Sequence, residues 1–289
     1  MRILITGASG FIGSHLFPLL ELNGHQILSI SRNYELHSKP HFIFGDLLQP
    51  YTYRDKVLHF RPECAIHLAW SGLPDYSLQN CRKNFNASID LFEVLEKADC
   101  KKIFIAGTCW EYGVLTGPVS EDQDCEENSL FASFKKALYS VGKSYFVTEG
   151  SQFIWGRIFF VYGPRQRETS LIPSCIRALS AGLLPAINNP MATNDFIYVG
   201  DVADAIKKLV ESDEASGIYN IGSGQSVLVS DVVNNVAVKL GMQKLYQGLP
   251  STTLIGLEAN ISRIKKIGWE PAISIQTGLA STIDMWRAE

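Results

Sequence analysis

Three glycines stand in the run Thr6-Gly7-Ala8-Ser9-Gly10-Phe11-Ile12-Gly13, directly after the apolar stretch Ile3-Leu4-Ile5. Glycines at that spacing let a chain leave a strand in a tight turn, bring backbone amides up to a pyrophosphate, and let the following helix pack close to the strand. The chemistry this permits is dinucleotide binding, with Gly7, Gly10, Phe11, Ile12 and Gly13 around the phosphates. A tight strand-to-helix turn needs glycine even without a ligand, so the triplet carries weight because it opens a strand–helix–strand unit. The next strand ends in Ser31-Arg32-Asn33, without the carboxylate that would bind the 2′-hydroxyl of an NAD ribose. Arg32 can hold a 2′-phosphate through charge-assisted hydrogen bonds, which a carboxylate would repel. Ser31 and Arg32 therefore favour NADP over NAD.

Such a site needs a scaffold. Short apolar runs rich in β-branched residues fall at 3–5, 27–31, 42–44, 65–68, 103–106 and 153–160, with helix-like stretches at 12–22, 87–98 and 135–147. This alternation predicts an α/β fold: a Rossmann-type doubly wound parallel sheet with helices on both faces. Ligands bind such sheets at the carboxyl ends of the strands, where strand order reverses. Past Gly163-Pro164 the pattern loosens, with proline, asparagine and glycine gathered over 185–194. Short elements follow at 196–199, 202–211, 219–221, 231–240 and 276–286, with Ser230 placed to cap the helix over 231–240. The expected organisation is a dinucleotide-binding domain over 1–164 and a smaller mixed α/β substrate lobe over 165–289, partly interleaved with the first. Pro18 falls inside the first helix, where it removes a hydrogen bond and can kink the chain.

With 289 residues, 46% hydrophobic and 19% charged, the chain can bury a sizeable core. A formal net charge of −3 gives no electrostatic reason to expect nucleic acid or a membrane surface as partner. The first apolar run is a few residues long and stops at Gly7, which excludes a signal peptide or a membrane span there, and the cytoplasm is the expected location. Cys64, Cys81, Cys100, Cys109, Cys125 and Cys175 lack zinc-site spacing; no metal is expected, and Cys109 reads as a packing residue.

The sequence resembles the NAD-dependent epimerase/dehydratase family, the extended short-chain dehydrogenases, over nearly its whole length. The likeness rests on the glycine loop, Gly45-Asp46-Leu47, Ile66-His67-Leu68-Ala69, Asn84 opening a helix, and Arg157 to Pro164 as RIFFVYGP. Asp195 to Val199, Asp201-Val202-Ala203 and Gly268-Trp269-Glu270-Pro271 complete it. The resemblance implies cofactor contacts at Asp46, Leu47, Leu68, Ala69, Trp70, Asn84, Lys135 and Phe160. It implies a catalytic hydroxyl at Thr108, in Gly107-Thr108-Cys109-Trp110-Glu111-Tyr112-Gly113. Family dehydratases carry Asp-Glu after that residue. This chain has Cys109-Trp110, so it lacks the acid and base for eliminating water. Glu111, off the family position, reads as a loop salt bridge.

The family's reactive tyrosine and lysine lie four residues apart on one helix face. Here Lys135 is present, but the tyrosine position holds Phe131. Three readings stand open: a substitution made to trap substrate in a working enzyme, a natural enzyme taking its proton from Tyr112, Tyr139, Thr108 or water, and a non-catalytic NADP-binding protein. The resemblance implies NADPH-dependent reduction of a nucleotide-linked 4-keto-6-deoxy sugar, as in the abequose- and fucose-forming reductases. The alternative enzyme is a nucleotide-sugar epimerase with tightly held cofactor. Candidate contacts to the nucleotide-diphosphate sugar are Trp70, Ser71, Thr108, Trp110, Phe131, Arg165, Arg167 and Asn194, arginine because its planar fork matches phosphate oxygens. Phe160 departs from the asparagine many members carry. A homodimer through helices 84–98 and 135–147 is expected by resemblance.

Overall fold

The computed structural model describes residues 1–33, 35–36, 41–123, 128–148, 150–247 and 254–288. Strands and helices alternate first: β1 (Arg2–Thr6), α1 (Phe11–Leu22), β2 (Gln26–Ser31), β3 (Phe42–Phe44), α2 (Arg54–Phe60), β4 (Cys64–His67), α3 (Leu78–Lys97), β5 (Lys102–Thr108), β6 (Gly117–Val119), α4 (Leu130–Thr148) and β7 (Gln152–Ile158). Then come β8 (Phe160–Tyr162), α5 (Leu171–Ser180), β9 (Thr193–Tyr198), α6 (Val199–Glu211), β10 (Gly217–Ile221), β11 (Ser226–Leu228), α7 (Val229–Lys239), β12 (Leu257–Ala259), α8 (Ser262–Lys265) and α9 (Ile275–Ala288).

Seven strands form one sheet in the order β10-β7-β5-β4-β1-β2-β3, every pair parallel, as a Rossmann-type fold requires. Strand order reverses between β1 and β4, which opens a crevice at their carboxyl ends. Parallel strands covered on both faces must be apolar throughout, and alternate side chains serve opposite cores. Ile3 and Ile5 join Leu16 and Leu20 on one face, while Leu4 joins Leu91 and Leu95 on the other. A smaller mixed sheet runs β11-β9-β8, with β8 parallel and β11 antiparallel to β9. A third cluster, including Ile176, Val232, Val236 and Ile283, packs α5, α7 and α9 together.

Several expectations need correction. The run 153–160 reads as one strand but is two. β7 ends at Ile158, Phe159 N donates to Ile221 O at 3.0 Å, and Phe160 begins β8 opposite Phe196 in the other sheet. Apolar residues on both sides of the step hide it in the sequence. Asn84 does not open a helix: α3 starts at Leu78, capped by Ser77, whose Oγ accepts from Asn80 N at 3.3 Å. Ser230 is no cap either. Leu228 takes that position, and Ser230 N donates to Pro190 O at 2.9 Å. Pro18 lies on the exposed side of an unbroken α1, where water can serve the carbonyl it leaves free. Among the described residues no helix is long and apolar enough to cross a membrane. Cys64, Cys81, Cys100, Cys109 and Cys175 are buried and unbridged, and Cys125 lies outside the described residues.

Candidate active site

The crevice at the β1–β4 reversal is a groove of about 580 Å³, within the range of small-molecule sites. The glycine loop forms its floor. Gly7 has φ +79°, and a Cβ there would stand 2.9 Å from Ala69 N; a Cβ on Gly13 would stand 2.1 Å from Gly7 O. Both positions are dictated by the chain's own packing. Gly10 differs: an added Cβ would meet only Gly7 O, at 3.1 Å, so the space above it is open. Gly10 is also the N-cap of α1, with no side-chain cap bond and no acid in the first turn. The unsatisfied N–H groups of Phe11, Ile12 and Gly13, with the positive end of the helix, can receive an anion there.

Ser31, Arg32, Asp46 and Leu47 line one end of the groove. The Arg32 guanidinium has no ion-pair partner among the described residues, while Asp46 Oδ1 accepts from Leu48 N at 3.1 Å. Leu68, Ala69, Trp70, Ser71 and Asn84 line the opposite wall, together with the exposed Arg167. A pyrophosphate over Gly10 and an adenosine toward Arg32 match this shape and its donors, so the residues present fit a dinucleotide.

His67, quoted above as part of a motif without a role of its own, sits between the walls. Its Nε2 lies 2.9 Å from Ser88 Oγ, and Ser88 Oγ donates to Asn84 O at 2.8 Å. Nε2 is therefore the protonated nitrogen, and Nδ1 accepts the Thr6 hydroxyl at 2.6 Å. Burial, with Lys135 nearby, lowers the imidazole pKa to about 3, so the ring is neutral and binds β1, β4 and α3 together.

Beyond Trp70 the groove gives way to an aromatic cluster. The Phe131 ring lies 5.3 Å from Trp70, 5.9 Å from Trp110 and 5.2 Å from Tyr76, centroid to centroid. Phe131 and Lys135 are one turn apart on α4, both buried. Lys135 Nζ donates to Ala106 O at 2.8 Å and stands 4.2 Å above the Trp70 ring. Burial lowers its pKa to about 8, against the pull of Glu111 and Cys81.

Thr108 ends β5 and caps the 3-10 turn Cys109–Tyr112, accepting from Trp110 N at 3.3 Å. Glu111, fully buried beneath it, accepts from Thr108 N at 2.8 Å, Trp155 Nε1 at 3.0 Å and Arg157 Nε at 3.0 Å. Burial pushes the Glu111 carboxyl up while the Arg157 guanidinium opposes the shift. The salt-bridge reading of Glu111 thus holds, and the pair is a buried one. Cys109 is packed in the core, its thiol raised by burial.

Two proposed sources of the missing proton face the wrong way. The Tyr112 hydroxyl donates to Asn220 Oδ1 at 2.7 Å deep in the core, and burial raises it to about 12. Tyr139 packs on Phe153 and Trp155, away from Phe131. Three other positions lie off the groove. Phe160 packs on Phe196 and leaves the wall to Val161, Asn194 sits in β9 opposite Val227, and Arg165 is exposed with φ +66°.

Residues 3–222 match the family described as NAD dependent epimerase/dehydratase. The dTDP-4-dehydro-6-deoxyglucose reductase of Escherichia coli is 27% identical, over 99% of this chain and 98% of its own. The UDP-glucose 4-epimerase of Thermus thermophilus, solved with NAD, superposes at TM-score 0.83 with 26% identity over 99% of both chains. The UDP-N-acetylglucosamine 4-epimerase of Methanobrevibacter ruminantium, solved with UDP-N-acetylmuramic acid, gives 0.86 with 25% identity over 99% of this chain and 98% of that one. With the sheet order, the glycine-floored groove and this match over most of its length, the chain belongs to the NAD-dependent epimerase/dehydratase family.

Proposed function

We propose that the protein reduces a nucleotide-linked 4-keto-6-deoxy sugar with NADPH. The observation that carries this reading is Arg32, at the groove's end and without an ion-pair partner among the described residues, where an NAD site offers an acid. The missing dehydratase pair and the likeness to a 4-dehydro-6-deoxyglucose reductase support it.

Bound in the groove, NADPH supplies hydride to the sugar carbonyl carbon. In this reading Arg32 holds its 2′-phosphate, and the helix end above Gly10 holds its pyrophosphate. Lys135 holds the nicotinamide ribose, and Thr108 orients the carbonyl oxygen. Residues 1–164 carry the cofactor, and 165–289 carry the sugar nucleotide, with Arg167 on the groove wall toward its diphosphate. Two subunits pair through α3 and α4 in the cytoplasm.

The test follows NADPH and NADH oxidation over a panel of 4-keto-6-deoxy sugar nucleotides, for the protein as it stands and for Phe131→Tyr. Turnover by either form supports the reductase, and Arg32→Ser should then weaken NADPH about 10- to 100-fold while sparing NADH. If neither form oxidises NADPH with any member, the reading fails. The epimerase neighbours favour a second reading, in which nucleotide cofactor copurifies and does not exchange. Cofactor binding without any chemistry after Phe131→Tyr would mark a non-catalytic binder.

A further inference from the structure

Resting on that reading, we propose that Tyr76 is the proton donor of the reduction and takes over the task of the hydroxyl missing at Phe131. Among the described residues the rings against Phe131 are those of Trp70, Trp110 and Tyr76, and of these Tyr76 alone carries an O–H. Its ring also lies 5.2 Å from Trp110, so it bridges Phe131 and the turn that follows Thr108. Its hydroxyl has no hydrogen-bond partner among the described residues, in contrast to that of Tyr112.

The loop that carries Tyr76 is held firmly. Asn80 Nδ2 donates to Ser71 O at 3.0 Å and Asp75 O at 2.7 Å, and Ser71 N donates to Asn84 Oδ1 at 2.7 Å. Asp75 Oδ1 accepts from Ser77 N at 2.9 Å on the far side of Tyr76, and Ser77 caps α3. The groove reaches this loop at Ser71, Gly72 and Leu73. A tyrosine fixed at both flanks, at the end of the groove and against the face that the family tyrosine would occupy, is placed for general-acid work. Tyr76 gives its hydroxyl proton to the carbonyl oxygen as the carbon receives hydride from NADPH, which leaves as NADP. The C=O becomes C–OH, and the phenolate regains a proton from solvent.

Tyr76→Phe removes one oxygen and keeps the ring packing. With dTDP-4-dehydro-6-deoxyglucose and its nucleotide analogues as probes, kcat should fall at least ~100-fold while KM moves less than about threefold. Phe131→Tyr in the same chain should restore turnover. A second readout needs no turnover: with NADP in place of NADPH, the keto sugar nucleotide should bind roughly tenfold more weakly to Tyr76→Phe, by calorimetry, through loss of the hydroxyl contact. Unchanged kcat in Tyr76→Phe overturns the inference and leaves the reductase reading intact. So does an inactive parent whose Phe131→Tyr form is active. Inactivity of parent and Phe131→Tyr alike overturns both.

Discussion

At the glycine-loop end of the groove, a side chain added to Gly10 would meet a single backbone oxygen, and the Arg32 guanidinium waits at the rim. At the α4 end, rings of Trp70, Tyr76 and Trp110 crowd Phe131, and Lys135 is buried against Trp70 and Ala106 O. The first end is open and rich in backbone donors; the second is packed with aromatic rings and short of one oxygen. In the proposed reaction, binding and chemistry therefore draw on separate parts of this fold. The binding end is set by backbone geometry, which tolerates little change. The reacting end is set by side chains, which can be reassigned while the frame stays the same.

That contrast can be broken from several sides. The largest effect should come from Glu111→Ala, which leaves Arg157 buried and unpaired beneath the reacting end; urea unfolding should show a loss of about 3–5 kcal/mol. A loss under about 1 kcal/mol would mean that the reacting end does not depend on its buried support. Next, Gly13→Ala should cost on the order of 2–3 kcal/mol and abolish dinucleotide binding, since its Cβ would meet Gly7 O at 2.1 Å. Gly10→Ala should leave the unfolding midpoint nearly unchanged and still weaken the dinucleotide at least ~10-fold, because its Cβ enters the space left for ligand. Equal behaviour of the two variants in both assays would remove the distinction between packing and cradle.

The smallest effect concerns pH. Lys135 releases its proton near pH 8 in the folded chain, against an ordinary value of 10.5. Between those values the unfolded chain holds a proton that the folded chain has lost, so stability at this site rises with pH. Measured at pH 7.5 and 9.5, the stability of the parent relative to Lys135→Met should improve by about 1–2 kcal/mol. A flat difference would show that the lysine end is wetter than its burial implies.

The binding end was legible in the sequence because its requirements are local. Gly7, Gly10, Gly13 and Arg32 are read from spacing along one strand–helix–strand unit, and the parallel sheet follows from alternation of apolar runs. The reacting end was legible only where one helix carries the residues, as with Phe131 and Lys135. Tyr76 reaches Phe131 from a distant part of the sequence, through a turn built by Asn80 and Asn84 side chains, and no periodicity reports that meeting. Ser77 ahead of a polar stretch was the available signal: reading it as a cap would have put Tyr76 at the mouth of a helix. Likewise, Glu111 in the turn after β5 meets Trp155 and Arg157 of β7 through the β5–β7 register.

The large sheet is not completed in the order in which its chain is made. β10, residues Gly217–Ile221, lies outside β7, so the sheet receives its last strand after the whole of β8 to α6. A nascent chain leaving the ribosome past residue 164 would hold β7 as an open edge, its Phe153, Ile154, Trp155 and Ile158 apolar and competent to pair with another chain. That edge stays uncovered until residues 217–221 are made, and the interval is a window for aggregation. Slowing translation beyond β7 lengthens that window, so yield in cells should depend on codon speed over residues 165–221 more than over the glycine loop.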